Sequence, residues 1–300
     1  MTWNPAALPT QSGKTFAVTG GSSGIGYFIA EQLTAAGASV ILLARSEKRA
    51  DAAIATIRTV TPTAQLAFIP FDLASLASVS AAASALPPVD GIVLNAGLTS
   101  ATAGRELTAD GLERMVGENY VAHFALVAQS LSKVSGRVVS MGSMSTRLAR
   151  ADVTDLLQES GRYNASKAYA YSKHAMQAFG FELDRRLRAS GSSIRSLVAH
   201  PGFAMDVQAP NRGRYRQISV GERFGQNLLR PMTQGKDRGA WPAVRALIDP
   251  AAQGGEFYGP SGTVKGRPVV ARAVAQDYDP AFASELWRLS EQWAGIKFDL

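Results

Sequence analysis

Cysteine is absent from the 300-residue chain. That excludes a disulfide framework, a thiolate metal site and a cysteine nucleophile. Histidine is almost as scarce: three residues, spread along the chain, suggest no metal centre. His123 and His174 read as packing or surface residues. No uninterrupted apolar stretch approaches the roughly 20 residues of a membrane span. The opening segment MTWNPAALPTQSGK has no charged stretch followed by an apolar one, so no secretory signal is expected and the cytoplasm is the default location. Disorder is excluded as well, because 46% of the residues are hydrophobic and only 18% are charged. The net charge of +7 raises the question of an anionic partner. Arginines cluster in NRGRYR (211–216), yet only Tyr215 could stack there. A solvated basic loop is therefore expected rather than a nucleic-acid site, with an anionic substrate as the alternative.

What is present is a repeating alternation. Six short runs rich in apolar and β-branched residues, TFAVTG (15–20), ASVILLAR (38–45), LAFIPFD (66–72), DGIVLNAG (90–97), GRVVSMGS (136–143) and SIRSLVAH (193–200), read as strands buried on both faces. Stretches with helical spacing separate them. This β-α-β-α order predicts an α/β fold of Rossmann type, a doubly wound parallel sheet of about seven strands with helices on both faces. Residues 1–300 are expected to form one domain, since α/β units reach this length. From about 203 to 240 the pattern dissolves into Gly-, Arg- and Pro-punctuated sequence. This insert is expected to recognise substrate, with Phe203, Met205, Phe224 and Leu228 as an apolar lining.

The first strand runs directly into TGGSSGIG. Glycines here allow a sharp strand-to-helix turn and close approach of a pyrophosphate to the helix N-terminus. The expected cradle is Gly20, Ser22, Ser23, Gly24, Ile25 and Gly26. An acidic residue at the end of the second strand would bond a ribose 2′-hydroxyl and mark NAD. The sequence instead offers Arg45, with Lys48 and Arg49 behind it. A guanidinium suits a 2′-phosphate, so NADP(H) is expected over NAD(H).

With these motifs on the page, the chain resembles the short-chain dehydrogenase/reductase family, and within it the branch similar to retinol dehydrogenases and the WW-domain oxidoreductase. TGGSSGIG looks like the family's TGxxxGIG turn. The resemblance implies adenine contacts from Asp72 and Leu73, a supporting motif at Asn95, Ala96 and Gly97, and nicotinamide contacts from Pro201 and Gly202. It also implies a catalytic Asn119, Ser143, tyrosine and lysine, a reaction between a carbonyl and an alcohol, and compatibility with a homodimer or homotetramer. Two departures stand out. His174-Ala175-Met176 replaces Leu-Ala-Asn after the lysine, and Asp206 stands where a threonine usually holds the carboxamide, whose N–H a carboxylate could still accept.

Two Tyr-x-x-x-Lys pairs compete in RYNASKAYAYSK: Tyr163 with Lys167, and Tyr169 with Lys173. Met176, Phe179, Leu183 and Leu187 form an apolar helical stripe. Continued backwards on an unbroken helix, it passes through Lys173 and Tyr169. Tyr163 and Lys167 fall on the side of Glu182, Arg185 and Arg188, expected to face solvent, with Phe181 there available to a partner subunit. The family's spacing to ELDRR agrees, so Tyr169 and Lys173 are the expected pair. An ammonium one turn away should lower the tyrosine pKa and equip it as a general acid/base. Ser140 and Ser145 are alternatives to Ser143. The function expected is an NADP(H)-dependent carbonyl/alcohol oxidoreductase acting on a small molecule. Its rivals are a non-catalytic NADP(H) sensor, which would need none of the four residues, and a sugar-nucleotide epimerase, whose glycine spacing differs.

Overall fold

The structure, a computed structural model, describes residues 3–99, 104–213 and 231–300. Its centre is one sheet of eight strands, where sequence patterning suggested about seven. In chain order these are β1 (Thr15–Thr19), β2 (Ser39–Ala44), β3 (Gln65–Pro70), β4 (Val89–Leu94), β5 (Val134–Met141), β6 (Arg195–Ala199), β9 (Phe257–Pro260) and β10 (Pro268–Ala271). The spatial order is β10-β9-β6-β5-β4-β1-β2-β3, and every pairing is parallel except β10 against β9. Two strands, β9 and β10, lie beyond the six apolar runs, and β10 forms one edge of the sheet. It spans four residues, starts with a proline and leaves Val270 half exposed, so it has no buried apolar run to announce it. Two residues each of β7 (Ala204–Met205) and β8 (Gln234–Gly235) form a separate small ladder.

Helices cover both faces because the strands are apolar on both. In β4, Ile92 and Leu94 join one core and Val93 the other. The first core packs under α3 (Leu76–Ala85), α5 (Ala122–Ser130) and α6 (Ala165–Ala189). The second packs under α1 (Gly24–Ala35), α2 (Glu47–Val60) and α8 (Trp241–Ile248). A short α4 (Arg114–Val116) leads through a π-helical segment, Gly117–Val121, into α5. Residues Lys236–Gly239 form a further turn of helix, α7. The last helix, α9 (Pro280–Ala294), starts with Asp279 as N-cap and proline in its first turn, and stops at Gly295 with φ +67°. It delivers Trp287 to an aromatic cluster, 5.3 Å from Phe124, 5.9 Å from Phe179 and 4.8 Å from Phe298.

Two expectations about α6 need correction. The helix does not run unbroken back to 163. Asn164 is its N-cap, accepting from the Lys167 amide at 3.0 Å, so Tyr163 lies outside the helix. The side carrying Glu182, Arg185 and Arg188 faces water only in part, for the two arginines are exposed and the glutamate is not. Glu182 is 3% exposed, bonded to Arg185 and Arg186, and Phe181 stacks on Tyr278 at 4.3 Å within the same chain. The C-terminal segment covers that flank, which helical periodicity cannot reveal.

Candidate active site

The glycine turn leaves β1 with Gly20 at φ +68° and Gly24 at φ +57°, a region that L side chains rarely adopt. A side chain on Gly26 would meet the Gly20 carbonyl at 2.4 Å. Ser23 is the N-cap of α1, yet its side chain caps no backbone N–H, and the first turn holds no acidic residue. Ser22 is buried, and Ile25 is half-buried against the second core. These are the features of a cradle for a dinucleotide diphosphate at a helix N-terminus, and the residues fit that group.

The remaining residues expected at a cofactor site lie along the C-terminal edge of the sheet. Arg45 is exposed just beyond β2. Asp72 and Leu73 follow β3, and the Asp72 carboxylate accepts from the Ala74 amide at 3.1 Å. Asn95, Ala96 and Gly97 follow β4. The Thr19 hydroxyl oxygen accepts from the amides of Asn95 (2.8 Å) and Ala96 (2.9 Å), while Asn95 Nδ2 donates to the Thr19 carbonyl. Pro201 and Gly202 follow β6, with Gly202 at φ +66°.

Asn119 sits in the π-helical segment, an irregularity often found at functional sites. Its side chain is fully engaged: Oδ1 accepts from the Leu98 amide (2.6 Å), and Nδ2 donates to the Leu98 carbonyl (3.1 Å) and Ser172 (3.0 Å). A side chain on Gly97 would strike Asn119 Oδ1 at 2.6 Å, which explains the glycine. The Asn119 carbonyl lies 3.2 Å from Nδ1 of His123. A carbonyl only accepts, so Nδ1 carries the proton and Nε2 accepts from the Thr19 hydroxyl at 3.0 Å. Burial holds the His123 pKa down to about 3, keeping the ring neutral. Histidine 123 is thus a working connector between the glycine turn and Asn119, and not mere packing.

Ser143 lies two residues past β5. Its amide donates to Gln177 Oε1 (2.9 Å), its Oγ accepts from the Ser145 amide (3.1 Å), and its carbonyl accepts from Thr146 (3.2 Å). Ser140 is fully buried inside β5, and the Ser145 hydroxyl has no partner among the described residues. From α6, Lys173 Nζ donates to the Met141 carbonyl (2.9 Å) and lies 5.9 Å from the centre of the Tyr169 ring.

The electrostatics differ from expectation. Burial raises the Tyr169 pKa, with the nearby Ser143 hydroxyl opposing it, so the phenol is not acidified. Burial pushes Lys173 down to about 8 instead. The second tyrosine is occupied elsewhere. Tyr163 donates to Glu113 at 3.0 Å. Glu113 is fully buried and caps α4 by accepting from the amides of Met115 and Val116. Lys167 is exposed. The structure therefore brings Asn119, Ser143, Tyr169 and Lys173 to one end of the sheet and leaves Tyr163 and Lys167 apart from them.

The short-chain dehydrogenase family model matches residues 14–212, two thirds of the chain. The chain belongs to the short-chain dehydrogenase family. It is thereby an oxidoreductase of the kind acting on CH–OH groups. Mouse polyprenol dehydrogenase is 33% identical over 267 residues, covering 84% of this chain and 76% of that protein. Human retinol dehydrogenase 13 is 33% identical over 231 residues, covering 74% and 67%. Among solved structures, an uncharacterised protein from Mycobacterium paratuberculosis superposes with a TM-score of 0.83 at 32% identity, each chain fully covered. A blue fluorescent protein from a metagenomic library, in complex with NADPH, gives a TM-score of 0.61 at 28% identity, covering 84% of this chain and 98% of that one.

One cation beside the glycine turn left no trace in sequence patterning. Lys236 Nζ stands 3.7 Å from where a Cβ on Gly24 would lie, beside the phosphate turn, and pairs with Asp206 at 2.7 Å. Asp206 is thus already committed to an ion pair. Arg212 of the basic stretch grips Glu31 on α1 at 2.6 and 3.1 Å, so it is neutralised and not solvated. Residues 214–216 of that stretch, with Phe224 and Leu228 of the expected lining, lie outside the described residues. Phe203 is 48% exposed and Met205 half-buried. Among the described residues no group of His, Asp or Glu could hold a metal ion, and no helix is long and apolar enough to cross a membrane. A surface cavity of about 360 Å³ flanks the C-terminal half of α6, with Phe181, Arg185 and Arg188 in its wall. None of the four tetrad residues lines it.

Proposed function

We propose that the protein is an NADP(H)-dependent oxidoreductase that interconverts a ketone or aldehyde with its alcohol, with Tyr169 as general acid/base, and that residues 1–300 act as one catalytic unit. The observation carrying this reading is the placement of the Tyr169 ring 5.9 Å from Nζ of the buried Lys173, which donates to the Met141 carbonyl at the end of β5, two residues before Ser143. A bound nicotinamide supplies or accepts the hydride. Everything else falls to side chains of this chain. Ser143 holds the substrate oxygen, for its Oγ accepts from the Ser145 amide and keeps its own proton to donate. Tyr169, kept as the neutral phenol by its raised pKa, hands a proton to the forming alkoxide, or takes one from the alcohol in reverse. The Lys173 ammonium stabilises the phenolate left behind. Asn119, its side chain locked by Leu98 and Ser172, fixes the π-helical turn against α6.

Preference for NADP(H) is supported by Arg45 beyond β2 and by Lys236 at the glycine turn, and by the NADPH-bound structural relative. The relatives' names point to polyprenol and retinol, both long apolar alcohols. Exposed Leu148, Phe203 and Met232 suit such a substrate, and the latter two flank the neighbouring strands β7 and β8. The test is NADPH consumption against ketones and aldehydes, long apolar aldehydes included. Turnover of at least one carbonyl is expected, and Arg45→Ala should weaken NADPH binding by at least about tenfold while sparing NADH. Tight NADPH binding without turnover in either direction contradicts the reading. Equal losses for the two cofactors contradict the NADP(H) preference.

A further inference from the structure

Ser143 is held from behind by a buried polar chain that the reaction itself does not use. Gln177, on the face of α6 one turn beyond Lys173, accepts from the Ser143 amide at 2.9 Å. That amide can only donate, so the carboxamide oxygen must face it and the NH2 must face the other way. There it donates to the Asp277 carboxylate, and more weakly to Thr146 Oγ1 at 3.4 Å. Gly142 makes room for this contact: a Cβ there would stand 2.3 Å from Gln177 Oε1.

Asp277 is fully buried in the Ala275–Tyr278 turn, far along the chain. Its other oxygen lies 2.5 Å from Nδ1 of His174, which is 1% exposed. Nε2 of the same ring lies 2.6 Å from the Ala149 carbonyl. A carbonyl only accepts, so Nε2 must carry a proton. Nδ1 then faces a carboxylate oxygen at hydrogen-bond distance, and that bond needs a proton of its own. The proton resides on the imidazole, giving an ion pair, or on the carboxyl, giving a neutral pair. In both forms the two side chains together retain one shared proton. The neighbouring Gln276 clamps the same loop, accepting from the Ala151 amide (3.0 Å) and donating to the Ala151 carbonyl (2.6 Å).

We propose that Gln177 is a positioning residue for Ser143, and that its carboxamide is locked by a buried His174–Asp277 pair sharing one proton. Through this chain the C-terminal segment sets where the serine hydroxyl stands relative to Tyr169. The role in turnover rests on the reading of Ser143 given above, whereas the hydrogen-bond chain does not.

The pair is tested by proton NMR of the wild-type protein without substrate. A far-downfield exchangeable resonance, correlated to the His174 ring nitrogen, is expected and should vanish in Asp277→Asn and Asp277→Ala. Its absence from wild type overturns the shared proton. Positioning is tested by comparing variants. Gln177→Leu and Asp277→Ala should lower kcat on the order of tenfold to a hundredfold, with the KM for NADPH unchanged, and should move the Ser143 amide resonance. Asp277→Asn should recover most of the loss. Its NH2 can donate to Nδ1 and its oxygen can accept from Gln177, so the geometry survives without the shared proton. Unchanged kcat and an unmoved Ser143 amide in both disruptive variants overturn the proposal. Should wild type itself turn over no carbonyl or alcohol, the functional reading fails, and the Ser143 amide still decides the positioning.

Discussion

At the residue scale the least expected feature is where the electrostatic strain of the site resides. An ammonium one helical turn from Tyr169 suggested an acidified phenol. Burial acts on both groups, raising Tyr169 and lowering Lys173 to about 8. The lysine thus gives up its charge within reach of working pH. Below about 8 the folded protein carries a buried ammonium at a cost, while the unfolded lysine stays protonated up to about 10.4. The unfolded state therefore binds more protons between these values, and stability from this group rises with pH across that window, by up to about 1.4 kcal/mol per unit. Carbonyl reduction should move the opposite way, falling as pH passes about 8 and the charge facing Tyr169 is lost. Urea unfolding and kcat/KM measured from pH 7 to 10 check both trends, and Lys173→Met should flatten the stability slope. Parallel loss of both quantities would contradict the assignment. Burial of this kind is a tertiary property. Residue spacing could place Lys173 beside Tyr169, but it could not say how dry the position is.

Elements were legible in proportion to how completely local sequence dictates them. Five of the six strand runs and the glycine turn are visible because a strand buried on both faces must be apolar throughout, and a diphosphate cradle must be glycine-rich. β3, expected to be buried on both faces, is an edge strand with Gln65, Ala67 and Pro70 exposed. β10 escaped notice because an edge strand can be short and half exposed. The start of α6 was misread for a different reason. The stripe Met176, Phe179, Leu183 and Leu187 is real, yet periodicity does not say where a helix begins. The N-cap does, and Asn164 in SGRYNASK is a good one. Asn164→Ala should cost about 1 kcal/mol of stability, read from the urea midpoint, while leaving kcat near wild type, since the proposed catalytic pair lies a full turn inside the helix. A kcat loss larger than the stability loss would mean that the first turn of α6 does more than cap.

For the whole molecule, the lesson is how much depends on the C-terminal segment, to which helical and strand patterns assign no role. It supplies β9 and β10, the Trp287 cluster, the cover over Phe181 and Glu182, and the Asp277 turn behind Ser143. None of these contacts is local, and long-range contacts leave little imprint on spacing. His174, Gln177, Lys236 and Arg212 share that fate, since each acquires its role from a partner distant in the sequence. The two tyrosines show both sides of the problem. Their wording is nearly the same, and the fold sets one beside the buried Lys173 and ties the other to the cap of α4. The decisive measurement is kcat for carbonyl reduction in Tyr169→Phe and Tyr163→Phe. The account predicts a loss of about 10² to 10⁴-fold for Tyr169→Phe, and near wild-type turnover for Tyr163→Phe once folding is matched. Loss of turnover in Tyr163→Phe, with Tyr169→Phe still active, would contradict it.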